Sequence, residues 1–345
     1  MSELIGFRTE FLPHVTRLFY PGEERITGKI NWFRYQMESS GQDLSKTCVL
    51  LKGPSKLLAF CWLCPLESRQ PGLVQAHIAV DPALAAGDWQ VFWAGVRQLA
   101  GNLAPRTRLR VILPANLTLA DNLTDEGLAK VADLTQFCAQ LETHQETPLS
   151  GDFRVVTLAG APSMADDWLR LFNSGISAFW HQPVWTGEIL KARLRAGSPE
   201  AWRLGMAGNE PVAALFYEVI DGEQGLVRIN AAATPPAYRN KGYGRLMIKD
   251  VLAHLRSKGF KQVYQLADGQ NQATALLYKM QGFAPQGFYH VLEGDLQVNI
   301  VQAPVAAAQE ETEPSSPENQ AETKKKNVGF YPSFHSQISG KRGRE

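Results

Sequence analysis

The sequence predicts an α+β protein built from two similar halves, each a mixed, mostly antiparallel sheet flanked by helices, followed by a disordered C-terminal tail. Its 345 residues are enough for about two domains, and 44% of them are hydrophobic, so each half can form a core. Matching positions keep a nearly constant offset, which favours an internal duplication over the loose self-similarity of any α+β chain. The offset is 154 for Pro82 and Pro236, 154 for Ala59 and Ala213, and 153 for Leu113 and Leu266.

Both halves repeat the same order of predicted elements: strand, helix, two-strand hairpin, strand, helix and strand. Apolar runs separated by turn residues such as Gly53 and Gly208 predict the strands, and apolar residues at helical spacing predict the helices. The first half has the strand 4–8, the helix 11–19, the hairpin strands 47–51 and 57–66, and the strands 74–81 and 109–113. The second half has the corresponding segments 153–158, 166–172, 202–206, 212–220, 226–234 and 262–266.

These patterns divide the chain into a first domain at 1–148, a second at 149–298 and a tail at 302–345. The tail begins acidic and rich in Pro and Ser and then becomes basic, so it cannot bury enough apolar surface to order itself. One apolar patch, at 328–334, leaves two interpretations open. The tail is either inert and solvated, or it carries a short motif that binds a protein partner.

Composition and charge exclude several classes of protein. Lys and Arg number 35 against 34 Asp and Glu, and this near-neutral balance argues against a nucleic-acid partner. Four cysteines are too few for a disulfide scaffold and lack the spacing of a closed zinc site. Cys61 and Cys64 form a C-x-x-C within an apolar run, so we expect buried structural thiols, with redox or metal use as the alternative. The longest apolar run, at 57–66, is well short of the ~18–20 residues that cross a bilayer, and no signal sequence is evident. We therefore expect a cytoplasmic protein without a membrane contact.

A glycine-rich turn at 239–244, Arg-Asn-Lys-Gly-Tyr-Gly, follows a predicted strand and leads into a helical pattern. Backbone N–H groups at the start of a helix lack intrahelical acceptors and favour an anion, and glycines let a phosphate approach closely. Arg239 can add a charge-assisted contact. The pattern is neither a Walker A loop nor a complete Gly-x-Gly-x-x-Gly motif, because Met247 stands three positions after Gly244. The turn predicts a pyrophosphate site, although alone it fits an ordinary structural turn equally well.

A second cluster at 271–283 begins with Asn271 at a helix N-cap position and ends with Gly282. Together the two clusters closely resemble the GNAT acyltransferase superfamily, whose signature is Arg/Gln-x-x-Gly-x-Gly/Ala followed by Asn-x-x-Ala-x-x-Leu-Tyr-x-x-x-Gly-Phe. The positions that match are Arg239, Gly242 and Gly244 in the first motif, and Asn271, Ala273, Leu277, Tyr278, Gly282 and Phe283 in the second, with one-residue shifts. The motifs cover the second half, and the first half resembles the family in element order alone.

The resemblance implies two tandem GNAT-like domains and acetyl-CoA as the acyl donor, without a metal. In such a domain the fourth and fifth strands splay apart, and the pantetheine arm pairs with the backbone near the end of the fourth. Pro235 lacks an N–H there, which is a departure from the family, and the exact pantetheine hydrogen bonds stay open. The expected cofactor-binding residues are Ala232, Ala233, Thr234, Arg239, Asn240, Lys241, Gly242, Tyr243, Gly244, Arg245 and Asn271.

Tyr278 is the expected catalytic residue, since a family tyrosine at this position protonates the departing coenzyme A thiolate. A phenol near pKa 10 and a thiol near 8.5 are close enough for that transfer. The alternative is a tyrosine that only packs against the core. The general base is open between Glu218, Asp268 and His181. Other members carry a base at the fourth-strand positions held here by Arg228 and Asn230, which favours a water relay or an acceptor of low pKa.

The acceptor is expected beside the aromatic segment 179–185, because the corresponding segment of the family walls the acceptor side. Its candidate contacts are Phe179, Trp180, His181 and Trp185. The alternative is that these rings fill the interface between the two halves.

The first half lacks the chemistry of the second. Aligning Pro82 with Pro236 places Ala85 at the arginine position and Asp88 and Gln90 at the two glycine positions. A carboxylate there repels phosphate, so this half resembles a degenerate acetyltransferase domain, in an arrangement similar to mycothiol synthase and other tandem GNAT proteins.

The sequence therefore predicts transfer of an acetyl or short acyl group from acetyl-CoA to an amine, by direct attack in a ternary complex. A small-molecule amine and a protein lysine both remain possible acceptors. Two other functions stay open: a non-catalytic coenzyme A-binding or scaffold protein, and a tandem-GNAT aminoacyl transferase that uses charged tRNA. The intact phosphate turn and the near-neutral charge count against the last of these.

Overall fold

The computed structural model describes residues 2–65, 72–103, 107–115, 117–143, 151–176 and 184–296. These residues form one twelve-stranded sheet with helices on its two faces. The strands are β1 (Glu3–Gly6), β2 (Cys48–Lys52), β3 (Leu57–Pro65), β4 (Leu73–Val80), β5 (Thr107–Pro114), β6 (Ala129–Gln140), β7 (Phe153–Thr157), β8 (Trp202–Ala207), β9 (Glu210–Asp221), β10 (Leu226–Ala233), β11 (Gln262–Asp268) and β12 (Ala284–Leu296). The α-helices are α1 (Leu12–Phe19), α2 (Thr27–Ser39), α3 (Leu44–Thr47), α4 (Ala86–Leu103), α5 (Leu119–Asp125), α6 (Ala165–Ile176), α7 (Gly187–Ala196), α8 (Tyr243–Ser257) and α9 (Gln272–Met280).

The mixed, mostly antiparallel architecture predicted from the sequence is confirmed. β4 pairs with β5 and β10 pairs with β11 in parallel, whereas the other neighbouring strands of the sheet are antiparallel. The hairpins β2–β3 and β8–β9 form where the apolar runs and turn residues predicted them. The tail at 302–345 lies outside the described residues, and the boundaries 1–148 and 149–298 stay predictions.

The two halves exchange their last strands. The sheet runs in the order β1-β2-β3-β4-β5-β12-β6-β11-β10-β9-β8-β7, so β6 of the first half lies beside β11, and β12 of the second half lies beside β5. β6 pairs with the whole length of β11, from Gln140 opposite Gln262 to Leu134 opposite Asp268. β5 and β11 thus each have one neighbouring strand from the opposite half of the chain.

Helix α2 of the first half also packs on the second half. At Gly28 an added Cβ would collide with the carboxylate of Asp221 on β9, so only a glycine permits this close approach. The apolar cluster beneath α1 and α2 combines first-half residues such as Phe33 with Leu226 and Tyr264 of the second half. The halves therefore share a core as well as a sheet.

The structure also describes the cysteines and the helices that bear on the predictions about disulfides and membranes. Cys48, Cys61, Cys64 and Cys138 are buried free thiols. Among the described helices, none combines the length and the apolar character needed to cross a bilayer.

The strand exchange predicts that residues 149–298 do not fold alone. Without β6, strand β11 loses its full antiparallel partner and exposes an unpaired backbone edge. Circular dichroism should show no cooperative thermal transition for 149–298, whereas a 1–298 chain should unfold cooperatively. Adding a separately produced 1–148 fragment should restore the transition. Cooperative unfolding of 149–298 near the temperature of the 1–298 chain would contradict the exchange.

Candidate active site

A gap opens between β10 and β11 beyond their first residues. The two strands pair only over 226–228 and 262–264, although both continue further. A register shift against β9 lies between Ile229 and Ala231, which makes Asn230 the extra residue of a β-bulge. A cavity of ≈ 70 Å³ occupies the gap, and its lining includes Asn230, Gln265, Asp268 and Tyr278.

The glycine-rich turn forms an anion cradle at the mouth of this gap. Asn240 and Gly242 both have left-handed backbone conformations, with φ of 62° and 84°, and Gly242 is the N-cap residue of α8. Asparagine and glycine tolerate this region best, so the sequence Arg-Asn-Lys-Gly suits the turn. The first N–H groups of α8 then face the groove without intrahelical acceptors, as a phosphate site requires.

The cradle lines a groove of ≈ 340 Å³ that continues into the gap. Both cavities are lined by Ala232, Asn271 and Thr274, so the groove reaches from the phosphate turn to Tyr278. Of the predicted cofactor-binding residues, the groove is lined by Ala232, Thr234, Arg239, Asn240, Gly242, Tyr243, Gly244, Arg245 and Asn271. The other two lie nearby: Ala233 is buried at the end of β10, and Lys241 is exposed with its ammonium 5.8 Å from the Tyr238 ring.

Arg239 ties together the elements around the groove. Its Nε donates to the Thr234 carbonyl at 3.1 Å, and its terminal nitrogen donates to the Gly175 carbonyl at 3.0 Å. Gly175, near the end of α6, packs so closely on β10 that an added Cβ would lie 2.7 Å from the Cβ of Ala233. Arg239 thus holds α6 against the end of β10 while its side chain stays exposed beside the cradle.

Tyr278 lies at the inner end of the groove. Its ring is 2% exposed and stacks on Phe137 of the exchanged strand β6, with centroids 5.7 Å apart, and meets Phe283 edge-on. Burial raises the pKa of the phenol well above its ordinary value, so Tyr278 keeps its proton at neutral pH. Helix α9 that carries it begins, as predicted, at Asn271, whose side chain accepts the Thr274 N–H at 3.0 Å.

The two described candidates for a base lie in different surroundings. Glu218 on β9 is buried and ion-paired to Arg228 at 2.9 Å and to Arg193 at 3.7 Å. Asp268 borders the gap beside Tyr278, and its carboxylate accepts the Gln270 N–H at 2.9 Å. The third candidate, His181, lies outside the described residues.

The predicted acceptor contacts are only partly described. Phe179, Trp180 and His181 lie outside the described residues. Trp185 is 7% exposed and packs in the second half's core against Trp168, Phe172 and Trp202. The ring of Trp185 is therefore part of the apolar core of the second half.

The structure adds Gln265 to the polar groups of the gap, and sequence reasoning did not single it out. Gln265 is 8% exposed, and its Oε1 has no partner among the described residues. The Nδ2 of Asn230 is likewise without an acceptor there. Leaving such a buried group unsatisfied costs about 1–3 kcal/mol, so this donor and acceptor are suited to a ligand. A glutamine in the middle of β11, beside the buried Tyr264, was the available signal.

The similarities to known proteins identify the second half as an acyltransferase domain. Residues 165–283 match the model of the Acetyltransferase (GNAT) family, whose members use an acyl-CoA donor. The chain is 24% identical over 220 residues to a mycothiol acetyltransferase from Geodermatophilus obscurus, covering 61% of this chain and 71% of that protein.

Solved structures share the tandem fold. A GCN5-related N-acetyltransferase from Sphaerobacter thermophilus aligns with a TM-score of 0.66 at 16% identity, covering 86% of this chain and 96% of that one. A tandem GNAT protein from the clavulanic acid biosynthesis pathway aligns with a TM-score of 0.62 at 12% identity, covering 86% and 99%. These similarities establish the fold of both halves.

Replacing Arg239 with Glu should weaken acetyl-CoA binding by at least about 100-fold. The change removes a charge-assisted donor and places a like charge beside the phosphate cradle. Arg239→Gln keeps a donor without the charge and should lose less. Calorimetric titration measures both, with Arg17→Glu on an exposed position of α1 as the matched charge control. Affinity equal to wild type in the Glu variant would place the phosphates elsewhere.

Proposed function

We propose that the protein is an N-acetyltransferase that moves an acetyl or short acyl group from coenzyme A to an amine by direct attack in a ternary complex. The observation that supports this most is the pair of adjoining cavities that share Ala232, Asn271 and Thr274, one lined by the cradle and the other by Tyr278. A phosphate bound at Gly242 and Gly244 leaves the groove as the path of the pantetheine arm. The thioester then lies in the gap, close to the buried phenol.

The side chains in the gap suit each part of the transfer. The Nδ2 of Asn230 donates to the thioester oxygen, where negative charge develops during attack. The Oε1 of Gln265 accepts an N–H of the amine and orients its lone pair. As the tetrahedral intermediate collapses, the C–S bond breaks and Tyr278 protonates the leaving thiolate. The raised pKa keeps Tyr278 protonated at neutral pH, and it also makes the phenol a weaker acid than an exposed tyrosine.

The proton of the attacking amine goes to Asp268 or to water beside it. A base must hold a free lone pair within reach of the nucleophile, and Asp268 borders the gap. The Glu218 carboxylate is held by two buried guanidinium groups, which suits it to fixing β9 against β10. We therefore assign Glu218 a positioning role.

The first half, proposed as the degenerate domain 1–148, supports the site without binding the donor. Its α4 carries Asp88 in the first turn, where the second half has the glycine cradle, and the Ser2 hydroxyl donates to that carboxylate. The catalytic domain, proposed as 149–298, therefore holds one acyl-CoA per chain.

The function is tested by incubating the full chain with acetyl-CoA and a panel of amines, including small molecules and lysine peptides, and measuring free thiol. Amine-dependent thiol release establishes the reaction and names the acceptor class. Tight acetyl-CoA binding without release for any amine would favour the scaffold alternative.

Tyr278→Phe should lower kcat by about 10²–10⁴-fold with little change in acetyl-CoA affinity, because it removes a group that acts mainly in the transition state. The ring that stacks on Phe137 is retained, so the fold should be preserved. Because the pKa of Tyr278 is raised, the wild-type kcat should not fall through its ionisation below about pH 10.

Tyr264→Phe is the matched control, since this buried tyrosine on β11 lines neither cavity of the groove. It should keep the wild-type kcat. Wild-type kcat in Tyr278→Phe, measured where chemistry limits the rate, would reduce Tyr278 to a packing residue. Loss of acetyl-CoA binding in that variant would instead assign its hydroxyl a structural role.

A further inference from the structure

The aromatic ring on which Tyr278 packs belongs to the first half of the chain. Phe137 lies on β6, and its ring stacks on that of Tyr278 with the centroids 5.7 Å apart and an angle of 27° between the ring planes. The two residues are 3% and 2% exposed. Phe137 is not among the residues that line the groove or the gap, so it acts on the site only through its neighbours.

The sheet fixes Phe137 from both sides. β6 lies between β11 and β12, and Phe137 is opposite Gln265 of β11 and Pro285 of β12. Directly opposite residues of antiparallel strands have Cβ atoms about 4.5–5.5 Å apart and share one face of the sheet. The side chain of Phe137 is therefore carried by a strand that is paired on both edges, with a neighbouring side chain at each hand.

Tyr278 has no comparable backbone support of its own. It lies on α9, a helix of nine residues, and a helix this short is marginal without tertiary packing. The Phe283 ring meets the Tyr278 ring edge-on, with the centroids 5.0 Å apart and 63° between the planes. One stacked and one edge-on neighbour fix the plane of an aromatic ring. The orientation of Tyr278 therefore depends on Phe137 and Phe283.

The direction of the Tyr278 hydroxyl follows from this packing. Within the described residues no hydrogen bond to the hydroxyl is found, and burial is what raises the pKa of the phenol. Proton transfer requires the hydroxyl to lie about 2.6–3.2 Å from the atom that takes the proton. A misplacement of about 1 Å can cost about 100-fold in rate. A tyrosine ring whose plane is not held would lose much of its effect as a proton donor.

We propose that Phe137 is a positioning residue for acyl transfer: it sets the plane of the Tyr278 ring and so directs the phenol toward the sulfur of the departing thiolate. The inference rests on the proposed function, in which Tyr278 gives its proton to that sulfur. Phe137 lies outside the groove and the gap and takes no part in the bonds that form or break. The first half thus contributes to the chemistry through one side chain of the strand that it exchanges.

The test uses coenzyme A as the probe, since its sulfur is the atom that Tyr278 would meet. At about pH 9 a thiol with a pKa near 8.5 is mostly ionised, whereas Tyr278 keeps its proton because burial raises its pKa. Calorimetric titration of the full chain gives the affinity for coenzyme A and, as the reference, for acetyl-CoA, which has no thiolate. The ratio of these two affinities reports the hydrogen bond from the phenol to the thiolate.

Tyr278→Phe should lower this affinity ratio about tenfold or more, because a hydrogen bond to a charged group is lost. Phe137→Leu removes the supporting ring and should lower the ratio at least about threefold, with the acetyl-CoA affinity within about twofold of wild type. In a Tyr278→Phe background the same change should lower the ratio no further. Phe137→Tyr retains the ring and should retain the ratio. Phe33→Leu, at a buried position on α2 that lines neither cavity, is the matched control and should also retain it.

The inference is overturned if Tyr278→Phe lowers the ratio and Phe137→Leu does not, or if Phe137→Leu acts equally in the Tyr278→Phe background. An unchanged ratio in Tyr278→Phe itself would overturn the proposed proton transfer as well, so the two failures are distinguishable. Thermal unfolding shows whether each variant is folded. If Phe137→Leu is not, Phe137→Met takes its place, because an unbranched methionine adapts to the space that the ring leaves.

Discussion

The exchange of β6 and β12 is the constraint on which the rest of the structure depends. The groove proposed here for acyl-CoA needs a strand, β11, that leaves one side open toward β10. A strand with both edges unpaired is unstable, so its other edge must be fully paired. β6 of the first half meets that need along all of β11 and also supplies Phe137, on which Tyr278 stacks. The active site of one half is thus built on the other.

The halves share a topology but not a chemistry. β4 and β5 of the first half also pair only over 73–76 and 108–111. Beyond these residues they are unpaired with each other, as β10 and β11 are in the second half. The difference lies in the turn that follows, where Asp88 places a negative charge in the first turn of α4. A fold supports many functions, and the site decides which one is present. The first half still provides β6, which pairs with β11, helix α2, and part of the core that the two halves share.

Local features were predictable from the sequence, and long-range pairing was not. The hairpins, the α8 cradle and the Asn271 cap follow from residue types at fixed spacing, and the structure has them. Strand exchange leaves no trace in the pattern, because β6 has the same apolar alternation whichever strand it joins. The same holds for the ion pairs of Glu218, whose partners Arg193 and Arg228 lie on other elements. Such contacts depend on tertiary packing alone.

Hydrogen–deuterium exchange of the full chain with and without coenzyme A tests the central claim most directly. The claim is that the second half alone binds the cofactor, in a gap held open by the first half's strand. Coenzyme A should slow exchange in 229–245 and 265–280 and in β6 behind them, and leave 77–90 of the first half unchanged. Equal protection of 77–90, or unchanged exchange in 229–245, would contradict the account.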